Sequence, residues 1–254
     1  MSTLLRCELQ RLLMAVQYFT RIPMPRWVGH SQGQLNAATR YFPAVGLLVG
    51  ASGAATCWIA SFALPVSVAV LLSMAGTIFL TGAFHEDGLA DAFDGLGGGY
   101  TREHSLAIMK DSRIGTYGAV ALVLVLLTKF ECLNAMPAAT QYAAMIAGHA
   151  TSRGGAVMVM AALPYVREND ASRAKPLVQR VSRASLGVAG FTAIVPALSL
   201  TSAGLLGLAT AAVAVGLWIA QLRRRLGGYT GDCLGATQQL AEIAFYLGVV
   251  AASR

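Results

Sequence analysis

Residues 41–84 of this chain read YFPAVGLLVGASGAATCWIASFALPVSVAVLLSMAGTIFLTGAF and contain no charged side chain. One helix over that stretch would be about 66 Å long, which is roughly twice the thickness of the hydrocarbon layer of a bilayer. The stretch therefore predicts two membrane-spanning helices, at about 43–63 and 66–84, with Pro65 at the turn between them.

The rest of the chain continues in the same way. The sequence is 56% hydrophobic and only 12% charged, whereas soluble domains carry about 25% charged residues. Further apolar segments predict spans at about 114–134, 138–162, 184–201, 203–222 and 233–251. These segments are continuous rather than alternating, which excludes a transmembrane β-barrel. The expected fold is an all-α, polytopic bundle of about seven spans that forms one integral-membrane domain, residues 1–254.

The N-terminal segment has a different character. Charged residues interrupt it, so we do not expect a cleavable signal peptide. Apolar side chains recur there at helical spacing, at Leu5, Leu9, Leu12, Val16 and Phe19. This spacing predicts an amphipathic helix that lies in the membrane interface.

Basic residues give the expected orientation. With seven spans, four basic groups fall on one side of the membrane, whereas Lys129 and Arg254 fall on the other; the four groups are Arg6 to Arg40, Arg102 to Arg113, Arg167 to Arg183, and Arg223 to Arg225. The positive-inside rule then places the N-terminus and these loops in the cytoplasm, with the protein in the inner membrane. The net charge of +7 is accounted for by this bias, so nucleic acid is not an expected partner.

Half of the twelve acidic residues lie in one predicted cytoplasmic loop, residues 85–113: Glu86, Asp87, Asp91, Asp94, Glu103 and Asp111. Asp87, Asp91 and Asp94 have the spacing i, i+4, i+7, so a helix continuing the second span would carry all three on one face. Like charges at this spacing repel each other, and a divalent cation relieves the repulsion. Oxygen ligands favour Mg²⁺ or Mn²⁺. We therefore expect Asp87, Asp91 and Asp94, with Glu86, to bind Mg²⁺ and a diphosphate.

The following segment adds groups suited to phosphate. Lys110 and Arg113 are candidate phosphate ligands beside Asp111. Gly88 and Gly95 each follow an aspartate, which suggests that a ligand approaches the backbone there. A solvated acidic loop and a cation pathway through a transporter are the two alternative interpretations.

Other candidates lie elsewhere in the chain. Arg153 falls inside the fourth predicted span, where it must pair with a carboxylate or contact a substrate phosphate. Asp232, at the start of the seventh span, is a candidate substrate contact.

Two family resemblances bear on the acidic segment. The spaced aspartates are similar in logic to those of the CDP-alcohol phosphotransferases, but Asp91 stands where that motif has arginine. A closer resemblance is to the cobalamin synthase (adenosylcobinamide-GDP ribazoletransferase) family. It is carried in order by FTRIP (19–23), YFPAVG (41–46), HEDGLADAFDG (85–95), KDSRIGTYG (110–118) and GGYTGDCLGA (227–236).

The resemblance implies a reaction. The 5′-oxygen of α-ribazole, or of its 5′-phosphate, would attack the cobinamide-side phosphorus of adenosylcobinamide-GDP, and GMP would leave. Mg²⁺ is the implied cofactor, and membrane lipid and a second copy of the chain are the other partners considered. From the residues themselves, Asp111 is either a further metal ligand or the base that takes the ribazole hydroxyl proton, and His85 is the other candidate base. A CDP-alcohol-type phosphotransferase acting on lipid and a cation-coupled transporter remain the alternative functions.

Overall fold

The computed structural model describes residues 3–29, 32–166 and 181–253. Regular structure within these ranges is helical, apart from one isolated bridge between Tyr165 and Tyr229, which confirms the all-α class. The α-helices are α1 (Thr3–Phe19), α2 (Gln32–Ala38), α3 (Phe42–Ala60), α4 (Val66–Thr81), α5 (Phe84–Gly98), α6 (Arg102–Ile108), α7 (Thr116–Asn134), α8 (Ala138–Ala162), α9 (Arg183–Leu198), α10 (Thr201–Arg225) and α11 (Gly231–Ala252).

Seven of these helices coincide with the predicted spans to within three residues at either end. Among the described residues, however, only four segments are long and apolar enough to cross a membrane: Gln34–Ala60, Thr116–Asn134, Thr201–Arg225 and Gly231–Ala252. Helices α4 and α5, which meet at an angle of 86°, make a fifth if they are taken as one broken span. The predicted count of seven spans is therefore wrong by this criterion.

The difference arises from short or polar helices. Helices α4 and α9 have 16 residues each, which gives about 24 Å against a hydrocarbon layer of about 30 Å. Helix α8 has 25 residues but buries Gln141, His149 and Arg153 within the bundle. Its polar residues face other helices, so its composition differs from that of a lipid-facing span.

Three contacts bring several helix ends to one end of the bundle. The Nη2 of Arg225 donates to the carbonyl of Gly99 at 2.6 Å, and the backbone N–H of Tyr229 donates to the carbonyl of Pro164 at 2.9 Å. The N–H of Arg21 donates to the carbonyl of Leu80 at 2.8 Å. The described segments that carry or adjoin the basic groups thus lie together at one end of the bundle, as the charge pattern predicts. Arg167, Arg173, Lys175, Arg180 and Arg254 lie outside the described residues.

The acidic segment does not continue the second span. Gly82 and Ala83 both adopt left-handed backbone conformations, with φ of 69° and 58°, and they end α4 and redirect the chain. Arg21 lies over the ring of Phe79 at 5.5 Å and against Gly82, so the segment after α1 covers this break. The expected loop 85–113 is instead two helices, α5 and α6, packed against the bundle.

Glycines set the closest helix contacts. A Cβ on Gly46 would lie 2.2 Å from the carbonyl oxygen of His149, so α3 and α8 touch through their backbones. A Cβ on Gly88 would lie 3.0 Å from the carbonyl oxygen of Asp232, and one on Gly235 would lie 3.1 Å from the Cα of Gly88. The predicted reason for Gly88 is therefore wrong: helix α11, rather than a ligand, approaches it. The same holds for Gly95, which packs against α6.

The predicted N-terminal helix is present as α1. Leu5 and Leu9 are exposed, whereas Phe19, at its end, is buried. The ring of Phe19 contacts that of Phe42 edge to face at 4.5 Å and stacks on His85 at 5.6 Å between centroids. Helix α1 therefore joins the start of α3 to the start of α5.

Candidate active site on helix α5

The three aspartates of α5 share one helical face, as predicted, but their surroundings differ. Asp87 is exposed, Asp91 is partly buried, and Asp94 is 7% exposed. The face runs from the open start of the helix to its covered end, where α6 and α7 pack. The three carboxylates therefore cannot all perform the same task.

Asp94 caps the following membrane helix. Its Oδ2 accepts the N–H of Gly115 at 2.7 Å, and its Oδ1 accepts the N–H of Gly118 at 2.8 Å. These N–H groups belong to the first turn of α7, which has no partner for them within the helix. A carboxylate also interacts favourably with the positive end of the helix dipole. The structure thus gives Asp94 a structural contact that sequence reasoning did not foresee.

Glu86 points into the bundle rather than along the aspartate face. Its Oε1 accepts the side-chain N–H of Gln239 on α11 at 2.9 Å. Its Oε2 is buried and has no hydrogen-bond partner. Glu86 is therefore separated from Asp87 and Asp91 by the orientation of the helix.

The 110–118 segment approaches the aspartate face through the Asp94 contacts. Within it, the Nε and Nη2 of Arg113 donate to both oxygens of Asp111 at 2.6 to 3.1 Å. This pairing lowers the pKa of Asp111 to about 2, so Asp111 is ionised at neutral pH. Lys110 and Arg113 are exposed. The structure therefore brings the predicted phosphate ligands and one predicted base to the end of α5 that carries Asp94.

His85 and Arg153 line a separate, buried cleft between α1, α3, α5, α8 and α11. His85 is 3% exposed and Arg153 is 1% exposed, and the His85 Nε2 and the Arg153 Nε have no hydrogen-bond partner. Helical geometry puts His85 about 120° to 160° round α5 from Asp91 and Asp87. The predicted site residues thus form two groups on different faces of α5.

Asp232 lies near both groups. Its backbone contacts Gly88 on α5, and the Thr230 hydroxyl donates to its Oδ2 at 3.2 Å. Burial, with the charges of Tyr165 and Asp232, raises the pKa of Tyr18 at the end of α1. Asp232 therefore lies where α11 meets α5, close to the end of α1.

A buried carboxylate organises the polar interior behind the cleft. Glu242 is 0% exposed, and its Oε1 lies 2.6 Å from the Lys129 Nζ. Tyr246 donates to Oε1 at 2.9 Å, and Gln238 donates to Oε2 at 2.6 Å. His149 lies 3.5 Å from Oε2 and also 3.3 Å from the Arg153 Nη1. The chain of contacts connects Lys129 on α7 to Arg153 in the cleft.

Lys129 corrects the predicted sidedness. We expected it to mark the far end of the third span, but it is 4% exposed and paired inside the bundle. The signal was present in the sequence, because Lys129 and Glu242 are opposite charges in two different apolar segments, and such charges need partners. Because Lys129 is paired inside the bundle, it no longer counts among the basic residues expected on the non-cytoplasmic side, and the expected excess of basic residues on the cytoplasmic side is larger.

No three His, Cys, Asp or Glu side chains among the described residues lie close enough to form a metal site by themselves. Mg²⁺ typically takes one or two carboxylates and completes its shell with substrate phosphates and water. Asp87 and Asp91 on the open part of the face fit that donor set. Asp94 and Glu86 fit it less well because their oxygens face a helix terminus and the bundle interior.

Comparison with known proteins agrees with the motif pattern. A family model described as cobalamin-5-phosphate synthase matches residues 11–250. The chain belongs to this family. Proteins named adenosylcobinamide-GDP ribazoletransferase from Ralstonia nicotianae and Leptothrix cholodnii are 48% and 46% identical to it, each over 96% of this chain and over 95% and 96% of their own. One from Shewanella sp. (strain ANA-3) is 45% identical over 94% of this chain and 93% of its own. No solved structure matches it significantly.

The five motif blocks of the cobalamin synthase resemblance occupy related positions in the structure. FTRIP covers the α4–α5 break, HEDGLADAFDG forms α5, and KDSRIGTYG supplies the capped start of α7. GGYTGDCLGA forms the start of α11 against Gly88, and YFPAVG places Gly46 against α8. Four of the blocks therefore surround or form α5, and the fifth fixes the neighbouring helix pair.

Replacing Asp94 tests its capping role. Asp94→Asn can accept only one of the two N–H groups, so we expect a loss of about 2 kcal/mol and a fall of about 4–8 °C in apparent melting temperature. The loss should be the same with and without Mg²⁺. Thermal unfolding of the detergent-solubilised protein measures it, with Asp87→Asn, at the exposed aspartate of the same face, as the matched control that keeps the wild-type temperature. Equal falls in melting temperature for the two variants would contradict the capping role of Asp94.

Replacing Glu242 tests the interior network. Glu242→Gln leaves the Lys129 ammonium buried without its counter-ion, which costs about 3–5 kcal/mol. The double variant Lys129→Met/Glu242→Gln should recover much of this loss, because both charges are then absent. The apparent melting temperatures of the two single variants and the double variant measure the coupling. Additive losses would show that the pair is not energetically linked.

Proposed function

We propose that this protein is an adenosylcobinamide-GDP ribazoletransferase that catalyses a final step of cobalamin synthesis. The relatives that bear this name cover nearly the whole chain. The structural observation that carries the proposal is the arrangement of α5, whose exposed Asp87 and partly buried Asp91 lie on the face that ends at the 110–118 segment. This arrangement is suited to a diphosphate at the surface of the bundle.

The proposed reaction is a phosphoryl transfer. A free ribose hydroxyl oxygen of α-ribazole, or of its 5′-phosphate, forms a bond to the cobinamide-side phosphorus. In the 5′-phosphate the 5′-oxygen is already esterified, so the attacking oxygen there is that of a secondary hydroxyl, and the 5′-phosphate is retained in the product. The bond from that phosphorus to the bridging oxygen breaks, and GMP leaves with the electron pair. The hydroxyl proton passes to a base. The product is adenosylcobalamin or its 5′-phosphate.

The open part of the α5 face is the proposed diphosphate site. Asp87 and Asp91 would hold Mg²⁺ there, with substrate phosphates and water as the remaining ligands. When bound, Mg²⁺ neutralises charge on the diphosphate and stabilises the departing GMP. Lys110, which is exposed on the segment at the end of this face, would contribute a positive charge to the phosphates.

Asp111 is the proposed proton acceptor. Phosphoryl transfer has a loose transition state, in which the attacking hydroxyl loses its proton late and positioning matters more than basicity. The bidentate contact from Arg113 keeps Asp111 ionised and fixes its orientation. His85, the alternative base, lies on another face of α5, so its geometry favours a different contact with the substrate.

The buried cleft supplies hydrogen-bond donors to a second part of the substrates. The Arg153 Nε and the His85 Nε2 are unpartnered within it, so a substrate oxygen entering from the Asp232 side would satisfy buried donors. Arg153 thus becomes a substrate ligand held in place by His149 and, through it, by Glu242. The basic end of the bundle that carries these groups faces the cytoplasm of an inner-membrane enzyme in this proposal.

The decisive experiment incubates the purified protein with adenosylcobinamide-GDP, α-ribazole and Mg²⁺ and measures GMP release. Release that requires both substrates supports the proposal. Asp91→Asn should lower turnover at least about a hundredfold and abolish the Mg²⁺ dependence. Release only with a lipid alcohol as acceptor, or ion flux in sealed vesicles without GMP release, would replace the proposal by one of the alternative functions.

The Asp111–Arg113 pair predicts a pH effect. Arg113 lowers the pKa of Asp111 to about 2, so in Arg113→Gln this pKa should return towards about 3.9. Asp111 must be ionised to accept the proton, so the variant loses activity at a higher pH than the wild type does. The ratio of variant to wild-type kcat/KM, measured from pH 7 down to pH 4, should fall about twofold. Ionisable groups that titrate equally in both proteins cancel in this ratio. A ratio that stays constant from pH 7 to pH 4 would exclude Asp111 as the proton acceptor.

A further inference from the structure

An apolar groove elsewhere in the bundle has no lining residue from α5. It holds about 400 Å³, which is within the range of pockets that bind small ligands. Helices α8, α9 and α10 line it, with Leu186, Gly190, Ile194, Val215, Gly216 and Met158 among the lining residues. Ile194 and Met158 are 46% and 55% exposed, so the groove opens onto the outer surface of the bundle.

Two glycines keep the groove open. A Cβ built on Gly190 or on Gly216 meets no heavy atom within 4 Å. Neither glycine adopts a left-handed conformation among the described residues, so neither is needed for a backbone turn. Their neighbours Gly154 and Gly155, by contrast, pack against Ala193 and Val215. The empty space at Gly190 and Gly216 is therefore room for an occupant rather than a helix contact.

Exposed arginines stand at one end of the groove. On α9 its lining begins at Leu186, one turn after Arg183; on α10 it ends at Ile219, one turn before Arg223. Arg183, Arg223 and Arg224 are all exposed. An apolar channel that ends beside several cations complements a hydrocarbon chain attached to an anionic headgroup.

We propose that this groove binds one acyl chain of an anionic phospholipid, with the phosphate headgroup beside Arg183, Arg223 and Arg224. The charge at the groove's end favours a lipid over a second copy of this chain, because a copy would present its own basic end to the same arginines. The bound chain fills the gap between α9 and α10 and packs against α8. The proposal concerns a face that the phosphoryl transfer does not use, so it stands or falls separately from the proposed function.

The test uses the full-length protein, purified in mild detergent and exposed to vesicles of phosphatidylglycerol or phosphatidylcholine. The protein is delipidated before this exposure, and the lipid that it then retains is counted by native mass spectrometry. We expect wild type to retain phosphatidylglycerol in preference to phosphatidylcholine. Gly190→Leu and Gly216→Leu fill the groove and should lower retention about tenfold. Gly187→Leu is the matched control, since this exposed glycine of α9 also has open space but does not line the groove.

The headgroup contact has its own readout. Arg223→Gln should lower the preference for phosphatidylglycerol about fivefold and leave phosphatidylcholine retention unchanged. Equal retention by Gly190→Leu and Gly187→Leu, with both variants folded by circular dichroism, would overturn the proposal. A change of oligomeric mass in Gly190→Leu without loss of lipid would overturn it as well, by identifying the groove as a contact between copies.

Discussion

A carboxylate that water does not reach determines how this bundle is assembled. Burying Glu242 is costly unless its charge is balanced and its oxygens are hydrogen-bonded. Lys129 on α7 balances the charge, while Tyr246 and Gln238 on α11 donate to the oxygens, and His149 adds a contact from α8. Three helices must therefore converge at one point. Helix α11 then carries α5 through the backbone contact between Gly88 and Gly235, so the position of the proposed active site follows from a pairing deep in the interior.

The direction of α5 depends on a second constraint, the break after α4. Two consecutive residues in left-handed conformations turn the chain by 86°, and Arg21 covers the turn. A helix that continued α4 would carry its carboxylates along the axis of a span. The bend instead lays α5 across the end of the bundle, with its open face at the surface and its covered end against α7. Arg225 fixes that end by donating to the carbonyl of Gly99, where a cation also complements the helix dipole.

The sequence predicted the helices well, and it predicted the site in part. Helix boundaries follow from hydropathy and from Pro65 and Pro137, which start α4 and α8. The shared face of Asp87, Asp91 and Asp94 follows from local spacing. The break at Ala83 was not predictable, because a left-handed alanine depends on tertiary packing rather than on residue type. The cap made by Asp94 joins residues far apart in the chain, so no local pattern reports it. Lys129 and Glu242 are charges in apolar segments, which signals that each needs a partner but does not identify that partner. The span count was too high because α4 and α9 are short and α8 buries polar side chains within the bundle.

The acidic side chains fall into two classes, those that are buried with hydrogen-bond donors and those that face solvent. Asp94 and Glu242 are buried, and each of their carboxylate oxygens accepts a hydrogen bond from a nearby donor. A group whose oxygens are already held by N–H groups gains less from a metal than one that faces solvent. Asp87, exposed at the open start of α5, is of the second kind. In the proposed site, substrate phosphates arrive from water with their own charge, and the exposed carboxylate of Asp87 would meet them through Mg²⁺ without first breaking the contacts that hold the bundle together. The interior network therefore provides rigidity, and the surface carboxylates provide the proposed chemistry.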